Sequence, residues 1–154
     1  MVDSRSSPGT PDAAWRTTLI LMVSLPIGVT LLAAVGLWLG TTEPRPTAMD
    51  TAPLTIAWVV LTLATSIAAA MAWQRMVRPL VPSSGFRADP PSTDELGRLQ
   101  TGLILCMALV EGAALFGGVL LILGAGPVPA LVGVILIWTA FLALRPRRGW
   151  YGLR

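Results

Sequence analysis

Four apolar stretches of bilayer length leave this chain one kind of fold. They run over residues 17–40, 51–74, 99–124 and 127–144. A bilayer crossing takes about 20 predominantly apolar residues. Inside lipid no water satisfies backbone N–H and C=O groups, so each stretch must be a helix. The expected fold is therefore an all-α membrane protein, a bundle of four transmembrane helices. The fourth stretch is near the short limit and should cross with little tilt. Composition agrees: 54% of residues are hydrophobic, 12% are charged and the mean hydropathy is +0.71. The first stretch has basic residues ahead of it, as a secretory signal does, but it far exceeds the roughly 7–15 apolar residues of a signal core.

Arginine sets the expected orientation, since the chain has no lysine. Arg5 and Arg16 precede the first helix, Arg75, Arg78, Arg87 and Arg98 lie in the second loop, and Arg145, Arg147, Arg148 and Arg154 follow the last helix. Only Arg45 falls on the other side. The excess of positive charge predicts both termini and the 75–98 loop on the cytoplasmic side, in the cytoplasmic membrane of a bacterium. Trp15, Trp73, Trp150 and Tyr151 then form an aromatic belt at the inner interface, with Trp38 near the outer one. These arginines flank helix ends instead of lining one face, so no nucleic-acid partner is expected. The expected partners are the lipid bilayer and membrane helices.

Between the helices the chain is polar and short of pattern. Residues 1–16 read as a disordered cytoplasmic tail and 145–154 as a basic cytoplasmic tail. Pro26 cannot donate to the carbonyl of Met22, which predicts a kink in the first helix. The first loop, with Glu43, Pro44, Arg45 and Pro46, reads as extended. Prolines, glycine and serines in the second loop argue against a folded domain there. At its end Ser92-Thr93-Asp94-Glu95 fits a capping box, so the third helix should occupy 93–124. Gly124-Ala125-Gly126 is tight enough to make helices three and four antiparallel neighbours.

Within the four apolar stretches Glu111 is the only acidic or basic residue. A carboxylate at the centre of a spanning helix costs about 2.5–3.5 kcal/mol on insertion scales, so its presence demands a reason. From Gln100 to Glu111 the helix rises about 16 Å, which is near the middle of a core about 30 Å thick. A carboxyl buried there is expected to carry its proton. Counting residues from each loop puts Thr30, Thr62 and Thr139 at the same depth. The sequence thus predicts one polar layer of Thr30, Thr62, Glu111 and Thr139, for proton or cation exchange or for interhelical hydrogen bonds. A competing expectation is that each threonine bonds its own i−4 carbonyl.

Small residues flank the carboxyl. Ala108 and Gly112, Ala113 and Gly117, and Ala114 and Gly118 are small-xxx-small pairs that let helices approach closely. The predicted close-packing face comprises Ala108, Ala114 and Gly118, with Phe116 and Gly117 beside it. It would join a second copy or another membrane protein.

The segment Ala108-Leu109-Val110-Glu111-Gly112-Ala113-Ala114-Leu115-Phe116-Gly117 resembles the ion-binding helix of the rotor-ring proteolipid, the c subunit of rotary ATP synthases. Glu111 matches the ion-carrying carboxylate, and Phe116-Gly117 match the aromatic-Gly step after it. Helix two is rich in small residues, as the family's inner helix is, but lacks its Gly-x-Gly-x-Gly run, and the connecting loop is longer. The resemblance implies a proton- or cation-handling role for Glu111.

The residues themselves favour a helix-packing or partner-binding subunit, because four helices with brief loops leave little room for alternating access. The chain has no histidine and a single cysteine, Cys106, inside helix three. No Ser/His or Cys/His pair and no usual metal-ligand cluster can be built, so no enzyme, cofactor or metal is expected. Cys106 reads as an inert core residue.

Overall fold

The computed structural model describes residues 10–42, 50–83, 85, 89 and 91–153. Among them every regular element is helical. The order is α1 (Pro11–Thr42), α2 (Ala52–Ala72), α3 (Thr93–Ile122) and α4 (Val128–Leu144). Beyond Ala72, α2 continues as a π-helical turn, Trp73–Val77, and a 3-10 turn, Arg78–Leu80. α1, this extended α2 rod and α3 are each long and apolar enough to cross a membrane, and α4 is a shorter apolar helix of 17 residues. The chain thus has the helices of a membrane protein, with apolar side chains facing outward for lipid.

Local chemistry fixes the helix ends. Asp50 Oδ1 accepts from the Ala52 N–H at 3.0 Å, and the α2 start also carries Pro53. At α3 the capping box forms: the Glu95 N–H donates to Ser92 Oγ at 3.3 Å, and the Ser92 N–H donates to Glu95 Oε2 at 3.0 Å. α3 stops where Gly124 turns left-handed at φ +90°, and the Ala125 N–H returns to the Leu120 carbonyl at 2.9 Å. Such a turn satisfies the last carbonyls of a helix and suits glycine.

α3 is the hub. It packs against α1, α2 and α4; α1 also touches α4, while α2 and α4 scarcely meet. Glycines set the close crossings. A Cβ on Gly117 would lie 2.5 Å from the Pro129 carbonyl oxygen, and one on Gly133 would lie 3.0 Å from the Ala114 Cα. On the α1 side, Gly118 lies under Leu32 and Gly36 under Leu121.

Several boundary expectations change. The tail predicted over 1–16 is helical from Pro11, because Asp12 and Thr10 serve the first turn and Trp15 packs on the bundle. α1 runs from Pro11 to Thr42 with Pro26 buried inside it. The proline leaves the Met22 carbonyl without its helical donor, while one turn on the Thr30 hydroxyl donates to the Pro26 carbonyl at 2.7 Å. Within the basic C-terminal segment, Arg148–Tyr151 form a 3-10 turn that buries Trp150 and Tyr151. The first-loop reading at residues 43–49, with most of the tail at 1–9, lies outside the described residues.

Candidate functional site

Glu111 sits on α3, and its surroundings follow from helical phase. Of the three small-residue pairs, two are consumed inside the bundle. Ala113 and Gly117 face Trp58 of α2 and Pro129 of α4, while Ala114 meets Gly133 of α4 and Gly118 meets Leu32 of α1. The third pair, Ala108 and Gly112, is exposed, and no atom lies within 4 Å of a Cβ built on Gly112. Glu111 falls between these two regions. Gly118, two turns on along the same stripe, packs on α1, so Glu111 lies at the α1 edge of the open face.

The expected burial of this carboxyl is therefore corrected. Glu111 is partly exposed, not enclosed in the bundle, and it makes no hydrogen bond or ion pair with any described residue. The physical reason is that small residues ring α3 almost completely. Which of them lie inside depends on where the other three helices sit, and α1, α2 and α4 leave the Ala108 side uncovered. Of the predicted close-packing residues, Ala114, Gly117 and Gly118 are buried within the bundle, Phe116 is partly buried, and Ala108 stays exposed on the open face.

The threonine layer does not assemble around the carboxyl. Thr30, Thr62 and Thr139 each donate to their own i−4 carbonyls, on Pro26, Trp58 and Ile135, at 2.7, 2.8 and 2.7 Å. Depth differs as well. The bonds from Trp58 to Ala113 and from Cys106 to Ala69 keep Thr62 at about the level of Glu111. The α4 contacts of Ala114 and Gly117 make Leu136 its equal in depth, so Thr139 is displaced by about one turn. The parallel register of α1 on α3 puts Thr30 about one turn to the other side. Equal-depth counting from the loops ignored the offset with which each helix leaves its turn.

Three polar contacts that the sequence reading did not single out hold the helices together. Trp58, 7% exposed, donates its indole N–H across to the Ala113 carbonyl at 2.9 Å. Trp138 donates to Thr30 Oγ1 at 3.0 Å, tying α4 to α1. Gln100 donates to the Ala14 carbonyl at 2.9 Å and to Thr18 Oγ1 at 3.0 Å, tying α3 to α1. A lone tryptophan or glutamine in an apolar run has no partner visible along the chain, so only its polar tip hinted at the bond. Trp58→Phe should lower stability by about 1 kcal/mol, in the range of interhelical hydrogen bonds. Thermal unfolding in detergent would read it, and an unchanged midpoint would show the bond to be energetically idle.

No known protein family, curated protein or solved structure matches the chain. The likeness of Ala108–Gly117 to the rotor-ring helix therefore stays local to those residues. Among the described residues no group of three His, Cys, Asp or Glu side chains could hold a metal ion. Cys106 is buried, its thiol 3.4 Å from the Ala69 carbonyl.

The arginine-rich end of the bundle is closed by aromatic side chains. Trp73 and Trp150 stack obliquely at 6.1 Å, Trp15 donates to the Pro146 carbonyl at 3.3 Å, and the Arg148 guanidinium lies 5.2 Å from the Trp15 ring centre. The interfacial belt expected from composition is thus turned partly inward, with Trp150 and Tyr151 buried in protein.

Proposed function

We propose that the chain is a four-span membrane protein, with both termini and the 75–98 loop cytoplasmic, that works as a helix-packing subunit. Its partner, a second copy or another membrane protein, docks on the open Ala108–Gly112 face of α3. Glu111 supplies a hydrogen bond to that partner. One observation carries the reading: a carboxyl with no partner among the described residues and an uncovered small-residue step lie side by side on one edge of α3. A polar group facing lipid is costly, and a neighbouring helix relieves that cost. The ten arginines on one side of the predicted spans support the orientation.

Proton or cation handling is the second reading, favoured because a carboxyl held by no bond can load and release a proton. Substitutions separate the two. Gly112→Leu should abolish association while leaving the protomer folded, because the added side chain enters open space in the bundle itself. Glu111→Ala should weaken association roughly threefold to thirtyfold, the range of interhelical hydrogen bonds, and Glu111→Gln should retain it. Energy transfer between labelled copies in liposomes reads the self-association, and co-purification reads a different partner. A wild type that is monomeric and partnerless would sink the subunit reading. Ion flux in wild-type liposomes that Glu111→Gln stops would establish the second.

A further inference from the structure

The gap between α2 and α4 has an apolar floor and a basic mouth. Because both helices pack on α3 and scarcely on each other, a groove of about 480 Å³ opens between them. Val110 of α3 forms its floor; Ala69 and Ala70 line one wall, and Leu136, Ala140 and Ala143 line the other. Small-molecule sites occupy about 300–1,000 Å³, so the groove is large enough for a ligand segment. From Ser66 to Gln74 it follows α2 for about 12 Å, close to the thickness of one leaflet's hydrocarbon.

At its arginine-rich end the groove meets a second cleft of about 670 Å³, with Trp73 and Ala143 lining both. Arg78 and Arg147 border this cleft, and among the described residues no acidic one lines either space. Neither arginine is neutralised by a described residue. Arg16, Arg98 and Arg148 pair with Asp12 or Asp94, whereas Arg78 and Arg147 form no ion pair among the described residues.

We propose that this groove is a binding site for an anionic phospholipid, with one acyl chain between α2 and α4 and its phosphate held by Arg78 and Arg147. The chemistry is complementary at both ends. An acyl chain fills a slot with little polar lining, and guanidinium groups bind phosphate oxygens in a fixed fork. Basic pockets between spanning helices on the cytoplasmic side are suited to anionic headgroups. Placement in the cytoplasmic leaflet rests on the orientation proposed above, but the site itself does not. Val110, not Glu111, faces the groove, so the two readings fail independently.

The test titrates purified protein in detergent with phosphatidylglycerol or phosphatidylcholine and counts bound lipids by native mass spectrometry. One phosphatidylglycerol per protomer is expected, with clear preference over phosphatidylcholine. Arg78→Ala with Arg147→Ala should weaken phosphatidylglycerol binding roughly thirtyfold, from about fivefold per arginine near an anionic surface. Ala140→Phe, which fills the slot from its wall, should displace the lipid while the detergent unfolding midpoint stays near wild type. Glycerol phosphate alone, lacking the chains, should not compete. Equal binding of the two lipids, or full binding by the double arginine variant, overturns the headgroup assignment. Retention of lipid by a folded Ala140→Phe, or competition by glycerol phosphate, overturns the groove as the site of the chain.

Discussion

Gly117→Val should leave α3 and α4 unable to pack, and the protein should fail to reach its folded form in detergent. Even an alanine Cβ at this position would lie 2.5 Å from the Pro129 carbonyl oxygen, 3.0 Å from its carbon and 3.2 Å from the Trp58 indole nitrogen. Two of these three atoms are backbone, which cannot rotate aside as a side-chain end can. Overpacking a core typically costs about 1–3 kcal/mol and more where backbone must shift. The gain in helix propensity from replacing glycine with alanine is only about 1 kcal/mol, so even Gly117→Ala should lose stability. Valine adds two methyl groups to the same clash and lies beside the Trp58–Ala113 bond, so both helix contacts are strained at once. Gly112→Ala is the matched control. It meets nothing within 4 Å and should leave the midpoint level or raise it. Thermal unfolding followed by circular dichroism decides the matter: a Gly117→Ala protein as stable as its Gly112→Ala counterpart would show that α4 can retreat freely.

The helices were legible because their signals are local. Bilayer-length apolar runs, Ser92 with Glu95 three residues later and the Gly124-Ala125-Gly126 turn each state their structure within a few residues. The phase of α3 was not legible. Small pairs at 108/112, 113/117 and 114/118 cover most of its circumference, so composition alone cannot say which pair meets a neighbour. The position of Glu111 depended on that choice, and its expected burial was lost with it. The threonine layer failed for a related reason. Residue counting gives depth only to about a turn per loop, and a layer of four side chains needs better than that. At the C-terminal end, Trp150 and Tyr151 beside arginines carried the composition of an interfacial belt. Their contacts with α1 and Trp73 join residues far apart in the chain and leave no trace in local pattern.

The C-terminal turn should act as a clamp on the arginine-rich end of the bundle. Trp150 is 6% exposed and Tyr151 is 0% exposed. Removing a buried tryptophan typically costs about 3–5 kcal/mol, so Trp150→Ala should release residues 146–153 from the bundle and expose Trp73. Protease cleavage after Arg147 or Arg148 in the folded protein would report the release, and a turn as resistant as wild type would refute the clamp. Tyr151 should behave in the opposite sense. Its buried hydroxyl has no hydrogen-bond partner among the described residues. Nearby Thr18 is already engaged, donating to Ala14 and accepting from Gln100. An unsatisfied buried hydroxyl costs about 1–3 kcal/mol, so Tyr151→Phe should raise stability. Burial also pushes the phenol above its ordinary 10.0. Below the unfolded value both states hold the neutral phenol and its contribution is fully present. As pH rises past it the unfolded chain ionises first, and stability is lost until the folded phenol also titrates. Wild type should therefore lose stability above about pH 10 more steeply than Tyr151→Phe, the difference arising from this one group. Parallel alkaline profiles for the two proteins would mean that the phenol reaches solvent in the folded state and that the turn opens without unfolding.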